Sequence, residues 1–155
     1  AGYEVHAISG KPEHAGYLRG LGAREVLPRE AVATSRPMDS ARFGGALDNV
    51  GGAMLASLLA QTAPYGNVAS CGLAGSHALE ATVMPFIIRG VSLLGIASAG
   101  TARAIRERVW ARLADDWKPE ALESVCTRQA GLDELPGIFP GMLAGGSVGR
   151  TLVNL

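Results

Sequence analysis

Tyr3-Glu-Val-His-Ala-Ile-Ser-Gly-Lys11 leads into Pro12 and a helix-like run from Glu13 to Leu21. Val5 and Ala7 alternate with their neighbours, which predicts a β-strand over Tyr3–Ser9 that stops at Ser9-Gly10-Lys11. A strand that ends in a hydroxyl, a glycine and a lysine just before a helix start suits a phosphate group. Backbone N–H groups there lack intrahelical partners, the helix dipole favours an anion, and lysine adds a point charge. A plain strand-to-helix turn with a solvated lysine reads the same way locally, so the rest of the chain has to decide.

The 155 residues make about one domain. With 48% apolar and 18% charged residues, a buried core is affordable and disorder is excluded. Acidic and basic residues balance at 14 each, so no net positive field points to nucleic acid or to an anionic membrane. Apolar runs are broken by Gly, Pro or charge well short of a membrane span. Cys71 and Cys126 are far apart and belong to no Cys/His cluster, so no zinc or other metal site is expected, and a reducing cytoplasm is the default location.

Outward from the opening strand, Glu25–Leu27 reads as a short strand, and Pro28 to Ala41 as a loop with one helical turn. Gly45–Val50 reads as a strand and Ala53 to Thr62 as an amphipathic helix. Pro64-Tyr65-Gly66 is expected to be a turn and Asn67–Cys71 the next strand. A short helix over Met84–Arg89 and a strand over Val91–Ala97 follow. A long helix is expected from Ala102 to Trp117, with Ile105, Val109, Leu113 and Trp117 on its apolar face and arginines on a solvated one. Strand–helix–strand alternation with short connections predicts an α/β fold, a doubly wound parallel sheet with helices on both faces. The tail differs: a strand over Glu123–Ala130, a weak helix over Leu135–Leu143 containing Pro136 and Pro140, and a last strand over Gly149–Leu155.

In such sheets ligands bind beyond the C-terminal strand ends. Here those ends read Ser9-Gly10-Lys11, Asp48-Asn49-Val50-Gly51, Cys71-Gly72-Leu73-Ala74 and Gly95-Ile96-Ala97-Ser98. All are rich in small residues, which allows backbone to approach a ligand closely. Together they point to a nucleotide cleft. In a dinucleotide-binding sheet the second strand's end meets the adenosine ribose, where Asp or Glu selects NAD. Ser9 and Lys11 with no carboxylate favour a 2′-phosphate instead, hence NADP(H). Asp48 is a candidate acid or base, although a carboxylate there more often takes backbone N–H bonds. Cys71 reads as a small buried residue rather than a nucleophile, because no histidine lies near it in sequence. His6 reads as structural or exposed, and His77 as a loop residue able to line a cleft. No catalytic set is recognisable, which is compatible with hydride transfer, where the cofactor carries the reactive atom.

Ser9-Gly10-Lys11, Tyr17–Ala23, Val26–Arg29, Cys71–Gly75, Thr82–Arg89, Leu94-Gly95-Ile96 and Gly149–Val153, in this order and spacing, resemble one known family. It is the zinc-independent quinone oxidoreductase branch of the medium-chain dehydrogenase/reductase superfamily, with the acryloyl-CoA reductase (NADPH) subgroup the nearer match. The resemblance covers nearly the whole chain and is most specific over Cys71–Ser98. It implies NADPH-dependent reduction of an activated carbon–carbon double bond, of an enoyl thioester such as acryloyl-CoA or of a quinone. By position it implies that Ser9, Gly10, Lys11 and Arg29 hold the 2′-phosphate end, and that Asn49 and Val50 border the adenosine and pyrophosphate. Cys71, Gly72, Leu73 and Ala74 would line the nicotinamide ribose, Ile96 and Ser98 would lie near the nicotinamide, and Arg150 would reach back from the tail. It further implies a homodimer through the strand Val91–Ala97, whereas Pro136 and Pro140 are unusual for its last helix.

The resemblance also implies a dinucleotide-binding (Rossmann) segment over 1–117 that lacks its first strand and glycine fingerprint. Residues 118–155 would rejoin a GroES-like catalytic domain. On this reading the chain is a C-terminal fragment, inactive by itself. A non-catalytic α/β dimerisation or nucleotide-binding module stays open as the alternative, as does an NAD-dependent enzyme of the same fold.

Overall fold

The computed structural model describes residues 2–155; Ala1, the first residue of the expected dinucleotide-binding segment, lies outside them. The chain forms two compact units. One contains the residues up to Val26 together with Glu107–Leu155, and the other is Leu27–Arg106. The expected 118–155 segment falls wholly in the first. Among the described residues no helix is long and apolar enough to cross a membrane.

Unit 2, Leu27–Arg106, holds β3 (Phe43–Asp48), α2 (Gly52–Gln61), β4 (Thr62–Ser70), α3 (Met84–Arg89) and β5 (Ser92–Gly95). Its sheet runs β3-β4-β5 and both pairings are parallel, as strand–helix–strand alternation dictates. One face of α2 drives the packing. Leu55 and Leu59 bury against Val68 of β4 and Val91, with Ala46, Phe86 and Leu93 packed around them. The α2–β4 junction has no loop. Gln61 ends the helix, Thr62 opens the strand, and the Thr62 hydroxyl donates to Leu58 O at 2.7 Å.

The expected turn at Pro64-Tyr65-Gly66 is corrected. These residues stay within β4 as an irregularity, with Tyr65 at φ +62°. The pairing with β3 jumps from Phe43↔Thr62 to Gly45↔Asn67. A bulge absorbs the turn chemistry of the prolyl-tyrosyl-glycine run without ending the strand. Cys71 is exposed, not buried as expected, because β4 ends at Ser70 and leaves it in the following loop.

The 29–42 connection carries one 3-10 turn, Arg29–Ala31. It is fastened to α2 through Ser57, whose hydroxyl accepts from Thr34 N at 3.1 Å and donates to Thr34 O at 3.2 Å. Gln61 Nε2 donates to Val32 O at 2.6 Å. Asp39 accepts from Ser40 N at 2.8 Å and from the Thr34 hydroxyl at 2.9 Å, and it lies 3.5 Å from Arg36. The Ser40 amide first, then the Thr34 hydroxyl, hold its carboxyl below the usual 3.8. A depressed folded-state pKa means the stabilisation is complete above the unfolded value and is lost as pH falls through the folded one. Asp39→Asn is therefore expected to flatten the acid limb of stability below about pH 4 and to leave the neutral-pH shape unchanged, as read from urea midpoints across pH.

Unit 1 includes β1 (His6–Ser9), a 3-10 turn over Pro12–His14 and α1 (Ala15–Gly20). Pro12 stands in the first turn, where its missing N–H costs nothing. The opening strand is shorter than Tyr3–Ser9, and its neighbour is β2 (Glu25–Pro28), which carries the unit boundary. His6 is half-buried, with its Nε2 3.3 Å from Glu4 and its Nδ1 3.1 Å from Glu25.

The helix expected to reach Trp117 is α4 (Arg103–Ala114), which also crosses the boundary. Its chain turns back early: Trp117 N donates to Arg112 O at 2.8 Å. The Arg112 guanidinium stacks 3.5 Å over the Trp117 ring while bonding Asp116 at 2.6 Å. The expected apolar face is not buried; Ile105, Val109 and Trp117 are exposed. The strand expected over Glu123–Ala130 divides into a helical turn, α5 (Leu122–Val125), and β6 (Cys126–Gly131). The helix over Leu135–Leu143 is continuous as α6 despite its prolines. Pro136 sits in its first turn, and Pro140 forfeits one interior hydrogen bond. β7 (Arg150–Asn154) closes the unit by pairing parallel to β6.

Candidate functional site

The parallel register of unit 2 puts its strand ends side by side, with Asp48 opposite Ser70 and Ser70 opposite Gly95. Asn49-Val50, Cys71-Gly72-Leu73-Ala74 and Ile96 therefore emerge along one edge of the sheet. Ile96 N donates to Ser70 O at 2.9 Å, which carries the β5 end on beside the β4 end, and Ser98 N donates back to Ile96 O at 3.0 Å. Leu73 is 67% exposed and Ile96 47%, so this edge presents apolar surface as well as backbone.

The first two loops are joined closely. Cys71 N donates to Asp48 O at 2.8 Å, Ala74 N to Asn49 O at 3.2 Å, and Gly75 N to Val50 O at 2.8 Å. Gly51 and Ser76 form an isolated parallel bridge beyond them. Asp48 lies under the turn, 2% exposed. Its carboxylate accepts from Val50 N at 3.2 Å and from Gly51 N at 3.0 and 3.2 Å. That geometry places Asp48 in backbone support, the role a strand-end carboxylate commonly takes. Arg29 lines a cavity of about 390 Å³ with Glu30, Thr34, Ala53, Met54 and Ser57. His77 is exposed in the loop after Ser76.

Unit 1 gathers a second set. At the end of β1 the Lys11 amide donates to the Ser9 hydroxyl at 3.1 Å, a tight turn with Gly10 exposed at its tip. The Lys11 ammonium donates to Ser147 O at 2.9 Å. Ser147 is three residues before Arg150, the exposed first residue of β7. The β1 turn and the approach to β7 thus meet within one unit, with a hydroxyl, two cationic residues and no carboxylate among the predicted residues there.

A family profile described as zinc-binding dehydrogenase matches residues 1–115. The chain belongs to the zinc-binding dehydrogenase family. Acrylyl-CoA reductase AcuI of Ruegeria pomeroyi is 44% identical over 99% of this chain and 47% of the relative. Two solved structures are similar along 99% of this chain and 47% of theirs. One is the Bacillus subtilis protein YhfP with NAD bound, at 43% identity and a TM-score of 0.95. The other is the YhdH oxidoreductase of Salmonella enterica in complex with NADP, at 42% identity and a TM-score of 0.93. The chain spans about half the length of the relatives it matches. Among the described residues no three His, Cys, Asp or Glu side chains gather where a metal ion could be held.

Two residues escape sequence reasoning, Ser76 in unit 2 and Ser147 in unit 1. Gly51 and Ser76 meet only through the tertiary bridge, and 25 positions separate them. Ser147 acts through its carbonyl, which carries no residue-specific signal.

Proposed function

We propose that the protein carrying this chain is an NADP(H)-dependent oxidoreductase that reduces an activated carbon–carbon double bond, that of acryloyl-CoA or a related enoyl thioester, or a quinone. The observation that supports it is the β1 end: Ser9, Gly10 and Lys11 follow one another there without a carboxylate, where an NAD-selecting site would need one. AcuI, a named acrylyl-CoA reductase, and the NADP complex of YhdH support the same reading.

Ser9, Gly10, Lys11 and Arg29 would hold the 2′-phosphate end, and Arg150 would reach back to the cofactor from the tail. Asn49 and Val50 would border the adenosine and pyrophosphate. Cys71–Ala74 would line the nicotinamide ribose, with Ile96 and Ser98 beside the ring. Bound there, the nicotinamide supplies a hydride; the chain's own task is to bind and orient it and to exclude water with Leu73 and Ile96. The sheet edge at β5, within Val91–Ala97, would pair two copies. Residues 118–155 would contact a catalytic domain that supplies acyl recognition.

The NAD bound to YhfP favours a second reading, an NADH-dependent enzyme. A fluorescence titration separates the two, using the protein with Lys11 intact and as Lys11→Ala. Loss of the lysine is expected to weaken NADPH binding about tenfold and to leave NADH within about twofold. NADH bound as tightly as NADPH by the protein with Lys11 intact would support the NADH reading, and no binding of either would favour a non-catalytic module.

A further inference from the structure

We infer that Asp48 is a positioning residue: with Gly72, it locks the loop after β3 to the loop after β4 as one rigid platform for the cofactor. This assignment rests on the NADP(H) reading above, and it concerns residues to which that reading gives no role or only a lining one.

The platform is built from three observations. Asp48 is buried, and both of its carboxylate oxygens are engaged by backbone N–H groups of the turn it supports. Those bonds fix the orientation of the Asn49, Val50 and Gly51 peptides. The same turn then presents its carbonyls outward to the neighbouring loop, where Asn49 O takes Ala74 N and Val50 O takes both Gly75 N and Ser76 N. The ladder of the sheet thereby continues past the strand ends. Finally, the two loops touch at Gly72. A Cβ there would stand 2.6 Å from Asn49 O and 2.9 Å from Asn49 Cα. Only glycine lets the backbones meet at this distance.

One carboxylate therefore sets the peptide planes of both segments predicted to flank the cofactor. Asn49-Val50 cannot shift without dragging Cys71–Ser76. A preorganised pair of loops binds without the ordering cost that two independent loops would incur.

The test is the NADPH affinity of Asp48→Asn, read by fluorescence on the protein carrying this chain. Asparagine keeps the shape but turns an NH₂ toward backbone donors, so one accepted bond becomes a repulsion. Binding is expected to weaken about tenfold or more. Gly72→Ala, which separates the loops without touching the carboxylate, is expected to weaken it similarly and keeps the test decisive if Asp48→Asn does not fold. Val68→Ala serves as the comparison for stability alone. It truncates a wholly buried side chain of the same sheet, and at a matched fall in Tm it is expected to leave the affinity within about twofold. Amide exchange at Ala74, Gly75 and Ser76 should accelerate in Asp48→Asn and not in Val68→Ala. Unchanged NADPH affinity in both loop variants overturns the positioning role while the NADP(H) reading stands. Failure of the unaltered protein to bind NADPH overturns that reading and this assignment with it.

Discussion

Leu59→Ala is expected to remove about 4 kcal/mol of stability, the largest effect of any single truncation in unit 2. Leu59 is fully buried and, among the described residues, shares one cluster of buried side chains with Leu55, Val68 and Val91. Neighbouring side chains relax only partially into such a gap, so a cavity remains and the lost transfer free energy is joined by lost contacts. A typical domain is stable by about 5–15 kcal/mol, so the variant is expected to lose a large part of its stability margin. Urea unfolding followed by circular dichroism checks this. A midpoint shift worth less than about 1 kcal/mol would mean that α2 does not pack on β4 through this residue.

Gly51→Val is expected to abolish cofactor binding as well as to destabilise. Gly51 has φ +72° and ψ −163°, a backbone conformation essentially reserved for glycine, and it is buried. A Cβ would stand 2.2 Å from Ser76 O, so the bridge to the second loop must break. Strain of about 1–3 kcal/mol adds to the loss of that bridge, and β-branching closes the remaining room. The two measurements are the urea midpoint and NADPH fluorescence. Retention of full affinity would show that the bridge beyond Val50 is irrelevant to binding.

Much of the fold follows from short-range chemistry. The helix over Met84–Arg89 is read within its true limits because Pro85 suits its first turn and Gly90 takes the left-handed conformation that ends it. The strand ends at Ser9, Asp48 and Ser70 are legible to within one or two residues, since small and polar residues follow each apolar run. What is not legible depends on partners distant in sequence. The bulge at Tyr65 exists because β3 offers a pairing register on both sides of it. The early end of α4 comes from an Arg112–Asp116–Trp117 cluster that a helical wheel counts as continued helix. Cys71 looks like a core residue by type, yet the strand before it stops one position short. Likewise, the residue types of the candidate site are visible in the chain, whereas the union of its loops around Asp48 is visible only in three dimensions.

The Lys11 ammonium gives one of its three donors to the Ser147 carbonyl. That contact tethers the tip of a long, flexible side chain beside the approach to β7. In the proposed site the charge would therefore be offered to a phosphate from a fixed place, with two N–H groups that the carbonyl does not use. The side-chain entropy that a free lysine loses on meeting an anion would largely be lost before the ligand arrives.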